Sequence, residues 1–318
     1  MSAAESPVGG IPGAIPGVTS GGTHCGFVAV IGAPNAGKST LVNRFVGAKV
    51  TIVSPKVQTT RMRVMGVAVS GVTQLIFVDT PGIFAARRRF ERAMVKAAWR
   101  GAADADVVLL VVDVSRRDPM ADNEAIVQSL RNHQRKAVLV LNKIDLIRRE
   151  QLLGIADTLF AAGVFSDVFM ISAERGDGAD DLFAALVARM PAGPWHFPED
   201  QLSDLPMRLL AAEIVREHLF RQLYQELPYA LTVVPEAWEE FDDGSVKINV
   251  AIVVDRDSQK AIVLGKGGQQ VRKVRVAAQD ELAAMLERRV HLFLQVLVQA
   301  DWVEKREHFQ ALGLDFEA

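Results

Sequence analysis

Cysteine is nearly missing from this sequence: Cys25 is the one cysteine among 318 residues. A single thiol cannot build a disulfide framework or a CxxC metal site within the chain, and such sparse use is typical of the reducing cytosol. The six histidines are scattered, and no two have the spacing of paired metal ligands on one helix. The sequence therefore argues against a disulfide-stapled secreted domain and against a structural zinc site.

Long apolar runs are also missing. None approaches the roughly 18 residues of a membrane span, so we expect no transmembrane segment. Residues 1–24 contain no lysine or arginine and no apolar run, so they do not look like a signal peptide. Their glycine, proline, alanine and serine content predicts a disordered tail. The net charge of −2 is too small to indicate a partner.

Residues 25–192 alternate short apolar runs with amphipathic stretches, which is typical of βαβ units around a mainly parallel sheet. Two of the runs are separated by residues 70–72 alone, so they should form a hairpin and give the sheet one antiparallel edge strand. We therefore predict an α/β domain with a six-stranded sheet. Its strands are expected at 26–31, 64–69, 73–78, 106–112, 136–141 and 166–171.

Residues 193–206 are rich in proline and acidic residues, and we interpret them as a linker. The remainder, 207–318, has a different order of elements and ends in a C-terminal tail. A helix near 207–225 precedes strands near 229–235 and 246–254, a short helix, a longer helix at 269–288 and a strand at 290–298. This order predicts a second domain of the α+β class.

The segment 32–39, GAPNAGKS, matches the P-loop pattern GxxxxGK[ST], and it follows an apolar strand and opens a helix, as that motif requires. Its glycines let backbone N–H groups approach phosphate oxygens, and the helix N-terminus adds a favourable dipole. We expect Lys38 to reach the β- and γ-phosphates and Ser39 to ligate Mg²⁺. The residues predicted to contact the nucleotide here are Asn35, Ala36, Gly37, Lys38, Ser39 and Thr40.

The segment 79–82, DTPG, follows the third predicted strand. Asp79 is expected to hold Mg²⁺ through water, and the N–H of Gly82 is expected to meet the γ-phosphate. Both residues stand at the carboxyl end of a strand, where open α/β sheets bind their ligands.

Two further motifs select the base. In 142–145, NKID, the Asp145 carboxylate can accept two hydrogen bonds from guanine, whereas adenine offers no such pair of donors, and the stem of Lys143 can lie over the base. In 171–173, ISA, the N–H of Ala173 is expected to bind guanine O6. Together with Asn142 and Ser172, these residues predict a site for GTP and GDP.

A switch segment is expected at 54–61, SPKVQTTR, between the first helix and the hairpin. We choose Thr60 as the threonine that senses Mg²⁺, with Thr59 as the alternative. The position after DTPG, where many small GTPases place a glutamine that orients water, is Ile83, whose apolar side chain cannot do so. Slow intrinsic hydrolysis is therefore expected.

Other groups could supply the missing charge. Asn35 could help to hold K⁺ between the phosphates, or it could form a hydrogen bond that stabilises its own loop, and the sequence leaves both open. Arg61 and the arginine run 87–89 could approach the phosphates, although such a run more often starts a solvated helix.

The second domain carries more acidic than basic residues, yet 258–279 contains five basic residues and no acidic one. This stretch surrounds a GXXG sequence between two predicted helices, the backbone clamp with which KH domains hold single-stranded nucleic acid. The residues predicted to bind RNA are Gly265, Lys266, Gly267, Gly268, Arg272 and Lys273.

With these motifs, about residues 25–313 resemble the Era family of bacterial ribosome-assembly GTPases. The resemblance rests on GAPNAGKST, QTTR, DTPG, NKID, ISA, PED, ELPYALTV and IVLGKGG. It implies a G domain joined to a type II KH domain, binding to the 3′ end of small-subunit ribosomal RNA during assembly of the small ribosomal subunit, and loose peripheral association with the inner membrane. The chain departs from the family after GXXG, where a glycine and two basic residues are replaced by Arg275, Ala277 and Gln279. Its last strand is also more apolar.

The sequence thus predicts a cytoplasmic, Mg²⁺-dependent GTP hydrolase in which Lys38, Thr60 and Gly82 act on the γ-phosphate, and in which the bound nucleotide gates RNA binding. One alternative is a GTPase whose second domain binds protein or membrane in place of RNA. The other is an RNA-binding scaffold that uses GTP only for structure.

Overall fold

The structure is a computed structural model, and it describes residues 22–56, 59–84, 86, 88–223 and 227–318. Residues 1–21 of the tail predicted to be disordered lie outside the described residues. Gln58 of the predicted switch and Arg87 of the arginine run lie outside them as well. The predicted bound of the tail at residue 24 is wrong, because His24 already belongs to the first strand.

A six-stranded sheet forms the first domain, with the strand order β2-β3-β1-β4-β5-β6. Its strands are β1 His24–Ile31, β2 Val64–Ser70, β3 Thr73–Asp79, β4 Val107–Asp113, β5 Ala137–Asn142 and β6 Phe165–Ile171. All neighbours pair in parallel except β2 and β3, which form the expected antiparallel hairpin. The prediction of a mainly parallel sheet with one antiparallel edge strand is therefore confirmed.

Helices cover both faces of this sheet because its central strands are apolar on both sides. They are α1 Lys38–Val46, α2 Arg89–Ala103, α3 Glu124–Asn132, α4 Arg149–Phe160 and α5 Ala179–Val187. One buried cluster includes residues of α2, α3 and α4, and a second includes residues of α1 and α5. The carboxyl ends of β1, β3, β4, β5 and β6 consequently open on one edge, where the predicted nucleotide motifs follow them.

The predicted linker, 193–206, packs against the first domain. The side chain of Gln74 on β3 accepts the N–H groups of His196 and Phe197 and donates to the Phe197 carbonyl at 2.8 Å. Farther along, the N–H of Val67 on β2 donates to the Leu202 carbonyl at 2.9 Å. The segment therefore follows the outer hairpin.

The second domain is a three-stranded sheet of order β7-β8-β9 with helices on one face. Its elements are α6 Met207–Gln222, β7 Leu231–Glu240, β8 Val246–Val254, α7 Asp257–Leu264, α8 Gln269–Leu286 and β9 Val290–Val298. Strands β7 and β8 are antiparallel, whereas β8 and β9 are parallel. This is the α+β arrangement predicted from the order of elements. Among the described residues, no helix is both long and apolar enough to cross a bilayer.

The C-terminal segment forms α9, Arg306–Ala311, and packs on helix α2 of the first domain. Phe90 of α2 contacts Phe309 ring edge to ring face, with centroids 5.3 Å apart. Lys96 and Arg100 of α2 both pair with Asp315. The part of the chain predicted to be a tail therefore joins the two domains.

Strand β9 is less completely packed than its apolar sequence suggests. Val290, Leu292 and Val296 are buried, whereas Phe293 is 54% exposed and Leu297 is 39% exposed. The strand thus turns one apolar face to the core and leaves the other uncovered.

Candidate nucleotide-binding site

A cavity of about 340 Å³ lies at the carboxyl edge of the large sheet. Among the residues that line it are Asn35, Gly37, Lys38, Ser39, Thr40, Thr60, Gly82 and Lys143. The P-loop, DTPG, NKID and the predicted switch therefore all contribute residues to the lining of one cavity. Among the described residues that line it, none comes from ISA.

Close backbone approaches explain the glycines of the P-loop. At Gly32, with φ of 150°, a Cβ would lie 2.3 Å from the Val111 carbonyl oxygen. At Gly37, with φ of 96°, it would lie 2.2 Å from the side-chain nitrogen of Asn142. Only glycine fits these positions, and their backbone leads into the N-terminus of α1, which favours bound phosphate.

Lys38 begins α1 and is 6% exposed. Its Nζ donates to the carbonyls of Gly32 at 3.1 Å and Ala33 at 2.9 Å. Burial lowers the pKa of Lys38 to about 8, and the nearby charge of Asp79 opposes that shift. The ammonium is thus held over the P-loop, where phosphate oxygens could replace the carbonyls as its partners.

The residues predicted to hold Mg²⁺ converge. Ser39 Oγ donates to Asp79 Oδ2 at 2.7 Å, and Thr60 Oγ1 lies 3.0 Å from Ser39 Oγ and 3.3 Å from Asp79 Oδ2. Thr51 also donates to Asp79 Oδ2, at 2.9 Å, and the motifs did not reveal this residue. The sequence put forward Thr60 ahead of Thr59, and Thr60 is the one beside Asp79.

The other carboxylate oxygen of the same residue, Asp79 Oδ1, is buried and has no hydrogen-bond partner among the described residues. Burial raises the pKa of Asp79, while hydrogen bonds from Ser39, Thr51 and Thr60 and the charge of Lys38 oppose that shift. Hydroxyl and carboxylate oxygens are the ligands that Mg²⁺ prefers. An orphaned carboxylate oxygen beside two hydroxyl groups therefore fits a hydrated magnesium ion.

Asn142 connects the phosphate end of the site to the base end. Its side-chain N–H donates to the Ala36 carbonyl at 2.8 Å, and its Oδ1 accepts the N–H of Ala173 at 2.9 Å. The Ala173 N–H, which we expected to bind guanine O6, therefore already donates to Asn142. It could reach O6 only by sharing its hydrogen between the two oxygens. Ser172 is fully buried and accepts the N–H of Arg175, which stabilises the turn.

Two charged residues that the motifs did not reveal hold the base-binding side chains. Lys143, with φ of 67°, places its Nζ 2.6 Å from Asp113, whose other oxygen accepts two hydrogen bonds from Ser115. Asp145 faces Arg175 at 3.6 Å. Asp113 ends β4 at the same edge of the sheet, and that position was the available signal.

The side chain after DTPG offers no polar group. Ile83 is 6% exposed and belongs to the core, while its N–H donates to the Gly32 carbonyl at 3.1 Å. On the other side of the cavity, the Asn35 amide donates to the Pro55 carbonyl at 2.7 Å and so joins the P-loop to the switch. Of the two roles that the sequence left open for Asn35, this contact corresponds to the loop-stabilising one.

The suggestion that Arg61 approaches the phosphates is wrong for this structure. Arg61 is 1% exposed and donates to the carbonyls of Pro228 and Leu231 in the second domain. Burial, and then the charge of Arg216, lower its pKa to about 9. From the arginine run, Arg88 and Arg89 are exposed at the start of α2, as a solvated helix start requires.

The GXXG sequence forms the sharp connection from α7 to α8. Gly265, Gly267 and Gly268 have φ of 70°, 60° and 75°, a region that favours glycine. Lys266, Arg272 and Lys273 are exposed beside this loop. The geometry presents backbone and positive charge together, as a clamp for a nucleic-acid backbone requires.

The residues that depart from the family pattern lie farther along α8. Arg275 donates to Gln279 Oε1 at 3.0 Å, and the same oxygen accepts the N–H of Leu292 on β9 at 3.1 Å. The side chain of Gln279 therefore connects α8 to β9.

Each of the two domains matches a known protein family. Residues 27–143 match the family model of the 50S ribosome-binding GTPases, and residues 226–303 match the KH domain. GTPase Era of Caulobacter vibrioides is 53% identical over 94% of this chain and 99% of its own. The chain belongs to the Era GTPase family. GTPase Era of Rhizobium meliloti, 55% identical over 92% of this chain and 94% of its own, agrees with this assignment.

Two solved Era structures have the same architecture. A crystal structure of Era in complex with MgGDPNP and nucleotides 1506–1542 of 16S ribosomal RNA superposes with a TM-score of 0.86, at 36% identity, over 92% of this chain and 99% of that one. A variant of Aquifex aeolicus Era bound to GDP·AlF4⁻ superposes with a TM-score of 0.84, at 35% identity and the same coverage. This chain is thus a GTPase with the G domain and KH domain of an Era protein.

Proposed function

We propose that this chain is a Mg²⁺-dependent GTPase that binds the 3′ end of small-subunit ribosomal RNA through its KH domain. In this proposal the bound nucleotide gates RNA binding, and the protein acts as a switch in assembly of the small ribosomal subunit. The observation that carries it is the presence of two sites in one chain. Serine, threonine and aspartate oxygens converge on one point of a P-loop cavity, and an exposed basic GXXG loop opens α8. The ribosomal RNA bound to the solved Era relative supports the choice of RNA.

The proposed hydrolysis is an in-line attack of water on the γ-phosphorus. A bond forms from the water oxygen to phosphorus while the bond to the bridging oxygen breaks, which yields GDP and inorganic phosphate. Lys38 and the N–H of Gly82 would stabilise the charge that develops on the phosphate oxygens. Ser39, Thr60 and Asp79 would hold Mg²⁺, which neutralises charge on the β- and γ-phosphates when it is bound.

We expect activation of the attacking water to limit the rate of hydrolysis, because the side chain of Ile83 is buried and carries no polar atom. Asn35 stands in the P-loop next to the switch, with its Oδ1 able to accept a cation while its amide holds Pro55. We therefore keep K⁺ as the proposed second cation, and faster hydrolysis in potassium than in sodium salts is the expected result.

The RNA proposal can be tested with matched charge reversals. Lys266→Glu combined with Arg272→Glu should weaken binding of RNA that carries the small-subunit 3′ terminus by at least about tenfold, because phosphate contacts are lost. Arg288→Glu combined with Arg289→Glu is the control, since it also reverses two charges and lies just beyond the other end of α8. GTP hydrolysis without RNA should be equal in all variants.

Equal RNA binding by the double variant and the control would overturn the KH assignment and favour a second domain that binds protein or membrane. No phosphate release above background, with potassium and RNA present, would instead favour the non-catalytic scaffold. We place the protein in the cytoplasm because its one cysteine, Cys25, is a buried free thiol. Loose association with the inner membrane is a further expectation, and it rests on the family resemblance.

A further inference from the structure

Arg61, next to Thr60 in the switch, crosses from the G domain into the KH domain. Its side chain is 1% exposed, and its two terminal nitrogens donate to the carbonyls of Leu231 at 2.7 Å and Pro228 at 3.2 Å. Three aromatic rings surround the guanidinium within 6 Å, those of Phe90, Phe220 and Trp302. The residue that follows the proposed Mg²⁺ ligand is therefore fixed by the second domain.

Arg216, on α6 of the KH domain, reaches in the opposite direction. It is 1% exposed, and one terminal nitrogen donates to the backbone carbonyl of Thr59. Glu213 pairs with the same guanidinium, and the ring of Phe220 lies 5.0 Å from it. The residue that precedes Thr60 is thus also held by the KH domain.

Thr60 stands between these two held neighbours and faces the nucleotide cavity. Its hydroxyl lies 3.0 Å from Ser39 Oγ and 3.3 Å from Asp79 Oδ2. Because its backbone is fixed on both sides, its hydroxyl is kept near the proposed Mg²⁺ position. Such preorganisation is what an interaction made in the transition state requires.

The two arginines are an unusual way to join domains. Glu213 pairs with Arg216, whereas the hydrogen bonds of Arg61 go to carbonyl oxygens. Within the part of the chain that the structure describes, Arg61 Nε and Arg216 Nη1 are buried without a hydrogen-bond partner. Buried guanidinium groups with unpaired nitrogens are costly, so apolar side chains would stabilise the interface better. The arrangement suits a positional role, because each arginine holds one side of Thr60.

We propose that Arg61 and Arg216 are positioning residues for Thr60, so that the KH domain helps to complete the Mg²⁺·GTP site. This inference rests on the proposed role of Thr60 as a Mg²⁺ ligand. It predicts a selective effect, because the proposed contact of Thr60 with Mg²⁺ contributes to binding of the γ-phosphate and not to binding of GDP. We name this pair of contacts the arginine clamp.

The full-length protein can test the arginine clamp with Arg216→Met and Arg216→Lys. Arg216→Met should weaken binding of a non-hydrolysable GTP analogue by about tenfold while GDP affinity stays within about twofold, because the lost charge-assisted bond positions Thr60. It should also raise the Mg²⁺ concentration needed for half-maximal hydrolysis. Arg216→Lys should recover much of the loss, since one ammonium can still donate to the Thr59 carbonyl.

Arg61→Lys is expected to bind the GTP analogue weakly, because a single ammonium cannot span the two carbonyls that the guanidinium of Arg61 joins. The matched control is Lys49→Met. Lys49 forms ion pairs with Glu217 and Glu281 across the same domain boundary, and these pairs do not involve residues 59–61. Thermal unfolding of each variant shows whether it is folded.

Each outcome decides the inference. Equal shifts for Arg216→Met and Lys49→Met, or equal losses for the GTP analogue and GDP, would overturn the arginine clamp. Thr60→Ala separates this failure from that of the proposed function. If Thr60→Ala selectively weakens binding of the analogue and Arg216→Met does not, the inference of the arginine clamp alone is wrong. If Thr60→Ala has no selective effect, the proposed role of Thr60 is wrong and the clamp falls with it.

Discussion

Replacing Asp145 by asparagine should change which base the nucleotide site accepts. A carboxylate at this position can accept hydrogen bonds from both guanine N1–H and the 2-amino group, whereas an amide offers one acceptor and turns a donor towards the other. Xanthine carries an oxygen in place of the 2-amino group, so the amide of asparagine matches it. The expected result is a transfer of preference from GDP to xanthosine diphosphate.

The size of the effect follows from the burial of Asp145, whose side chain is 11% exposed. A hydrogen bond to a buried charge contributes roughly 1.5–3 kcal/mol, so losing one and opposing two donors should weaken GDP binding by about 3 kcal/mol, or about a hundredfold. The ion pair with Arg175 adds little to this figure, since it spans 3.6 Å and the arginine is 64% exposed.

The assay is a pair of equilibrium titrations, with GDP and with xanthosine diphosphate, on the parent protein and on Asp145→Asn. The unfolding temperature of the nucleotide-free variant should match that of the parent, which separates an effect on the base from an effect on folding. Unchanged GDP affinity, or equal losses for both nucleotides in a folded variant, would refute the assignment of Asp145 to the base.

Two further predictions concern the P-loop. Burial lowers the pKa of Lys38 to about 8, and bound phosphates favour its charged form. GDP binding by Lys38 should therefore take up about half a proton at pH 8 and almost none at pH 6.5, and the affinity should fall as the pH rises through 8. Calorimetric heats that are identical at pH 8 in buffers of different ionisation enthalpy would contradict this. Gly37→Ala should abolish nucleotide binding, because the new Cβ would lie 2.2 Å from the Asn142 side chain. The control Gly47→Ala, at φ of 75° and with open space around it, should lose only about 1 kcal/mol of stability and bind GDP normally. Equal GDP binding by both variants would show that the contact with Asn142 is unimportant.

The nucleotide site was largely predictable because its chemistry is local. A P-loop needs glycines, a lysine and a hydroxyl at fixed spacing, and the strand before it and the helix after it are visible in the same stretch of sequence. The same holds for Asp79 and Asp145, which directly follow or lie just beyond apolar strands. The six strands of the large sheet were equally clear, since buried parallel strands are continuous apolar runs.

The residues that hold the site together were not predictable in this way. Thr51, Asp113 and Arg175 belong to no motif, and each acts through a partner that is distant in sequence. Long-range contacts of this kind leave no local period or spacing to detect. Asp113 alone had a signal, its position at the end of a strand on the nucleotide edge.

The contacts between the domains were also missed. Arg61 was considered as a group that could approach the phosphates, yet it lies against Phe220 and Trp302 of the second domain. The segment predicted to be a C-terminal tail buries Phe309 and Leu314 against α2. In both cases the sequence shows an arginine or scattered aromatic residues, and only the assembled fold shows what they face.

In the proposed function, the nucleotide state of the GTPase governs how tightly it binds RNA. The most direct measurement is a titration of single-stranded RNA carrying the small-subunit 3′ terminus into protein loaded with a non-hydrolysable GTP analogue, and again into protein loaded with GDP. A scrambled RNA serves as the control, and the salt is held fixed because phosphate contacts make affinity depend on it. We expect sequence-selective binding that is tighter with the analogue. Equally tight binding with GDP would contradict the nucleotide gate, and no selective binding in either state would contradict the RNA assignment.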